Sequence, residues 1–203
     1  YKIFEKNIWR LKMDITNGQD NFNLNDPLNN LLPDRAEMEC EELFAQADRL
    51  LNDGVIMDAV DKLTQILKRN PRFGKAYNHL GWVYETKYKN TARAEEYYRA
   101  AMQYAPHYNA SYLNYCYFLS NQGRFEELKA HLDRMSNLPG IAKDTIHNEY
   151  AIMYEMMGNP QAATDYYQKA AMVTLDTGKL EKYREGIERC KKKLEFLNPS
   201  ANF

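Results

Sequence analysis

The stretch Lys75–Pro106, KAYNHLGWVYETKYKNTARAEEYYRAAMQYAP, decides the fold, because its neighbours on both sides repeat its spacing. Small residues recur at Ala47, Gly81, Cys116 and Ala151, separated by 34, 35 and 35 positions. A second register, Ala59, Ala94, Leu128 and Ala163, is separated by 35, 34 and 35, so two independent sets of positions report one period. Each period holds two amphipathic helical patterns with a break between them, as in Leu43, Ala47 and Leu50 before Gly54 and Ala59, Leu63 and Ile66 after it. One repeat is therefore one helical hairpin. Gly54, Gly123 and Gly158 stand where a first helix must stop, since glycine takes the left-handed conformation without a Cβ penalty. Asn159 and Pro160 then restart a helix, the amide as cap and the proline in the first turn.

Composition agrees. Seven Pro and nine Gly are few for 203 residues, and Val and Ile are scarce beside strong helix formers, so the fold class expected is all-α. Lys plus Arg (27) nearly balances Asp plus Glu (28), which leaves no field to attract phosphates and argues against a nucleic-acid partner. No apolar run approaches the roughly 20 residues that cross a bilayer, so no membrane span is expected. The chain begins at Tyr1 rather than Met, which reads as a fragment or processed product that an upstream signal or anchor could have preceded. Cys40, Cys116 and Cys190 are too dispersed for a zinc motif and odd in number, so free thiols and a cytoplasmic location are expected.

The order Tyr77, Leu80, Gly81, Tyr84, Ala94, Tyr98, Ala101 and Pro106 resembles the tetratricopeptide repeat, with one extra residue between Tyr84 and Ala94. His147, Tyr150, Ala151, Tyr154, Ala163, Tyr167 and Ala170 keep the order in the fourth repeat, with Leu175 in the slot of the closing Pro. The first repeat carries Leu43, Ala47, Leu50, Ala59, Leu63, Ile66 and Pro71. The third substitutes Cys116, Leu128 and Met135 for small residues and moves its proline to Pro139, so its hairpin is expected to pack wider. The resemblance covers about residues 38–175. It implies a right-handed superhelical solenoid of about four hairpins, residues 38–177, in which small residues let helices approach and aromatics fill the grooves.

After the repeats, Leu180, Tyr183, Ile187, Cys190, Leu194 and Leu197 advance by 3 and 4 among Lys, Arg and Glu. This stripe reads as a capping helix over 178–197, and the same spacing also fits a short coiled-coil dimer seam. Residues 198–203 are a tail. Residues 1–37 do not follow the repeat: Trp9, Leu11, Met13 and Ile15 alternate like a strand, while Phe4, Ile8, Leu11 and Ile15 fit a helix stripe, and Asn17–Pro33 reads as a linker. Such an arm either packs on the solenoid, lies in its groove or pairs with a strand of another chain.

No catalytic constellation is visible. His79, His107, His131 and His147 fall in four elements without ligand-spaced partners, and neither a nucleophile elbow nor a phosphate loop occurs, so no catalytic residue, metal or cofactor is expected, and His79, which neighbours the groove positions given below, reads as a polar groove contact. Most of the 16 Tyr fill repeat packing slots. Lys191, Lys192 and Lys193 read as a solvated face near a helix end.

The resemblance implies that the first helices line a concave face. One row on it is Phe44, Asn78, Leu113 and Asn148, and the next is Asp48, Trp82, Tyr117 and Ile152, with Asn114 on the rim. Trp82 and Tyr117 are expected to anchor a peptide or short helix, and Asn78, Asn114 and Asn148 to hydrogen-bond its backbone. The competing reading packs Trp82 and Tyr117 against the next hairpin or the arm. Some family members clamp an acidic tail with Lys, Asn and Arg; here Phe44 and Asp48 stand where the Lys and Asn of the first repeat would be, Asp48 would repel a carboxylate, and Lys75 is the one basic residue facing correctly, so a neutral, more apolar segment is expected. The function implied is a non-catalytic protein-interaction scaffold, with a homodimer built through the arm or last helix as the alternative.

Overall fold

The computed structural model describes residues 35–197, and among them nine helices and no strand. They are α1 Arg35–Asn52, α2 Ile56–Arg69, α3 Gly74–Thr86, α4 Thr91–Tyr104, α5 Asn109–Asn121, α6 Phe125–Met135, α7 Lys143–Met156, α8 Pro160–Val173 and α9 Thr177–Leu197. Helices α1 to α8 form four hairpins, and α9 follows alone. The expected arm and tail lie outside the described residues, apart from α1 starting at Arg35.

Glycine sets three of the four hairpin turns. Gly54, Gly123 and Gly158 have φ of 78°, 66° and 73°, and the next residue donates back into the helix just ended: Val55 N to Leu50 O, Arg124 N to Leu119 O and Asn159 N to Tyr154 O. The second turn is longer by one residue, Asn90 N reaching Tyr84 O, and there Lys89 takes the left-handed conformation with φ 53°. Asn90 and Asn159 cap the following helices through Oδ1, which accepts from Arg93 N at 3.1 Å and Ala162 N at 3.0 Å.

Packing follows the small-residue column. Ala47, Gly81, Cys116 and Ala151 are buried, and a Cβ on Gly81 would lie 2.7 Å from Cδ1 of Tyr98, so the ring rests on bare backbone. The column continues one step further. Gly186 lies 35 residues after Ala151 and is buried, and a Cβ there would meet the Tyr167 ring at 2.8 Å. Helix α9 is thus the first helix of a fifth period whose second helix does not follow within the described residues. The positions that in α3 are Tyr77, Leu80, Val83 and Tyr84 are here Lys182, Glu185, Glu188 and Arg189, all exposed, so the open end carries charge where a further helix would need apolar surface. Of the expected stripe, Tyr183 and Cys190 are buried against α8, whereas Leu180 and Leu197 are 46% and 62% exposed. The coiled-coil alternative loses its seam, because the middle of the stripe is already covered within the chain.

In the third hairpin Leu128, Leu132 and Met135 stand where the second has Ala94, Tyr98 and Ala101. Its helices lie further apart than those of the second and fourth, as the bulk of those residues requires. Tyrosine hydroxyls that reach the edge of the core end on carboxylates: Tyr98 on Glu85 (2.7 Å), Tyr115 on Glu95 (2.9 Å), Tyr167 on Glu155 (3.0 Å), Tyr183 on Asp144 (3.1 Å) and Tyr150 on Asp133. Arg124 lies on Glu95, and Arg189 and Lys193 on Glu155; these partners, the arginine first in each case, hold both carboxyls at about 2. Each ring is therefore buried without an unsatisfied hydroxyl.

Gly81→Ala tests the seating of the ring. Overpacking against a rigid buried ring falls in the upper part of its usual range, about 2–3 kcal/mol, and the gain in helix propensity is about 1 kcal/mol, so urea unfolding should show a net loss of about 1–2 kcal/mol. An unchanged midpoint would mean that the ring does not rest on the helix.

Candidate functional site

Successive first helices are joined by polar contacts whose sequence separations match the repeat. Between α1 and α3, Lys75 Nζ donates to Glu41 Oε1 at 2.7 Å, and His79 Nε2 lies 3.1 Å from Asp48 Oδ1. Between α3 and α5, Asn114 Nδ2 donates to Asn78 Oδ1 at 3.1 Å and Asn121 Nδ2 to Glu85 Oε1 at 2.9 Å. Between α7 and α9, Lys179 Nζ donates to Asp144 Oδ2 at 2.9 Å and Arg189 Nε to Glu155 Oε1 at 2.7 Å. These contacts place the first helices side by side, so residues one repeat apart share a face.

On that face α1, α3 and α5 enclose a cleft of about 260 Å³ lined by Asp48, Leu51, Asn52, Asn78, His79, Trp82 and Asn114. Four of these were expected from the sequence, namely Asp48, Asn78, Trp82 and Asn114. Asn78 departs from its expected role on the surface. It is 2% exposed and its Oδ1 accepts from Asn114, so it forms the floor and ties α3 to α5. Trp82 is half-buried in the wall, with the Lys87 ammonium 5.3 Å from its ring centroid. Tyr117 stands one repeat further along and is 46% exposed.

The remaining expected residues lie outside the cleft. Phe44 is half-buried against Phe73 and His79, at ring separations of 5.6 and 4.6 Å. Lys75 is taken up by Glu41. Leu113 packs on the central core and Ile152 on the cluster between α8 and α9. Asn148 donates through Nδ2 to Glu149 Oε1 at 3.1 Å. Leu51 and Asn52 complete the cleft without having been singled out as contacts, and His79, read from the sequence as a polar neighbour of the groove, lines it too. For His79 the partner Asp48 is 31 residues away, a separation that no ligand-spacing rule covers but that the repeat period brings adjacent.

Glu149 is the unusual group on these helices. Only 6% exposed, it has burial as the main influence on its carboxyl, partly opposed by the Asn148 amide, and is pushed up to about 7. Cys116 and Tyr117 on α5 and Tyr183 on α9 all feel its charge, and burial raises all three. The Cys116 thiol is accordingly a poor source of thiolate. Burial lowers His131, whose Nε2 lies 3.1 Å from Tyr112 O. No group of three or more His, Cys, Asp or Glu able to hold a metal occurs among the described residues. Lys191 and Lys193 pair with Glu188 (2.9 Å) and Glu155 (2.6 Å) one turn or more before the end of α9, rather than with the helix terminus.

The arrangement is that of an all-helical repeat solenoid. A profile of the tetratricopeptide repeat matches residues 44–176, and the chain belongs to that family. It is similar in fold to a thermophilic tetratricopeptide protein of Thermus thermophilus, at 20% identity over 74% of this chain and 82% of that one, with a TM-score of 0.61. It is similar also to PilF of Pseudomonas aeruginosa, at 20% identity over 78% and 76% with a TM-score of 0.63. A third likeness is to PilW, a type IV pilus biogenesis factor, at 18% identity over 80% of each chain with a TM-score of 0.58. Comparison with curated proteins finds no match. No described helix is long and apolar enough to cross a membrane.

Because the folded Glu149 carboxyl titrates at about 7, above its unfolded value of about 4.3, the folded state binds more protons between those values. Stability should fall as pH rises through that window and level off above it. Glu149→Gln should therefore stabilise the protein by about 3–4 kcal/mol at pH 8 and leave it unchanged near pH 4, measured by urea unfolding at both. An equal effect at the two pH values would show that the carboxyl is not held protonated.

Proposed function

We propose that this chain is a non-catalytic scaffold that binds a segment of a partner protein along the face of its first helices, with Trp82 and Tyr117 as anchors. The observation that carries the reading is the pairing of a cleft walled by Trp82 with Tyr117, 46% exposed, one repeat along the same face. Most other tyrosines of the first helices are drawn into the core or its edge, as Tyr84, Tyr112, Tyr115, Tyr150 and Tyr154 are. Aromatic surface of this kind, beside amides that both donate and accept, suits an extended or helical peptide. Asn52 and Asn114 line the cleft and take the backbone-contacting role, since Asn78 is its floor and Asn148 serves Glu149.

The test is affinity capture from source-cell lysate with wild type and a Trp82→Ala, Tyr117→Ala double variant of equal helicity, followed by titration of the captured protein. Trp82→Ala alone should weaken binding by about 2 kcal/mol. Equal capture by wild type and double variant, or no capture by either, contradicts the reading. Loss of helicity along with binding would make Trp82 a core residue.

A further inference from the structure

Among the described residues, the lining of the cleft carries one carboxylate, Asp48, and no lysine or arginine. Glu41, near its outer edge, is neutralised by Lys75 at 2.7 Å. Asp48 is paired with no lysine or arginine among the described residues; its partner is His79, and its side chain remains 55% exposed. Glu85, further along α3, is held by the Tyr98 hydroxyl and the Asn121 amide, again without a cation. The indole of Trp82 already carries the Lys87 ammonium on its face, so the aromatic wall is one that takes a cation. Asn52 and Asn114 add carbonyl acceptors to the same lining. A volume of about 260 Å³ holds one long side chain, since a water's share is about 30 Å³.

We infer that this cleft receives the guanidinium of an arginine, or the ammonium of a lysine, carried by the bound segment, so that the partner presents a basic and apolar peptide rather than an acidic one. The inference rests on the scaffold reading and adds the chemistry of its ligand. Arginine fits best because a planar guanidinium can stack on the indole and meet the Asp48 carboxylate through two donors. An acidic tail would set a carboxylate against Asp48 with Lys75 already engaged.

The experiment selects random 12-residue peptides displayed on phage against the intact chain, then maps each enriched peptide by the indole Nε1 resonance of Trp82 and the amide of Tyr117. Enriched sequences should place Arg or Lys beside apolar residues, shift the Trp82 resonance and bind more weakly as salt rises. Asp48→Asn, which keeps an acceptor for His79 and sits on an exposed position of α1, should weaken them at least tenfold with helicity unchanged. Peptides that shift Trp82 but carry no cation, or an affinity that Asp48→Asn leaves alone, overturn the inference while the scaffold reading stands. Enriched peptides that shift neither Trp82 nor Tyr117 overturn both.

Discussion

A tyrosine ring laid on a helix that offers no side chain beneath it is the contact from which the remaining architecture follows. Tyr98 does this on Gly81 and Tyr167 on Gly186, each at a spacing that would not admit even a methyl group. The close approach buries a large ring and so recovers substantial hydrophobic free energy from a hairpin too small to hold a core alone. It also forces the hydroxyl to the edge of the core, where a carboxylate such as Glu85 or Glu155 must meet it. Those carboxylates in turn fix Asn121 and Arg189 on the next first helix. Core packing and the polar contacts between hairpins are consequently one system.

Once the first helices lie side by side at the repeat spacing, the character of their shared face depends on which polar groups are consumed in holding them there. Asn78 and Lys75 are consumed. Asp48 is engaged by His79 alone, and Trp82 and Tyr117 by no neighbouring first helix, which is why the face keeps exposed aromatic surface beside a carboxylate that no described lysine or arginine pairs. Glu149 shows the opposite case. It is a carboxyl buried at the edge of this face with a single amide for company, and it keeps a proton near neutral pH instead of drawing in a cation.

Much of the fold was legible because spacing alone carries it: the recurrence of Ala47, Gly81, Cys116 and Ala151 requires stacked hairpins whatever the other residues are. The glycine turns and the Asn159–Pro160 restart were legible for the same local reason. Gly186 was not recognised as the next member of the column, because the apolar stripe around it already accounted for a helix and a glycine adds nothing to such a stripe. The site was legible only in part. Positions one turn beyond the packing residues were found, but burial depends on neighbours contributed by the next repeat, so Asn78 passed for a surface amide. The pairing of Asp48 with His79 likewise joins residues 31 apart and has no local signature.

The seating of rings on small residues is tested most directly where it holds the end of the stack. Native-state hydrogen exchange of α8 and α9 should be compared between the wild type and Gly186→Leu. The account predicts that α9 is protected in the wild type, that the leucine displaces the Tyr167 ring and removes protection from α9 and part of α8, and that α3 to α6 exchange as before. If α9 exchanges freely in the wild type, or stays protected with leucine at position 186, the ring on Gly186 is not what holds the helix, and the fifth step of the stack is wrongly described.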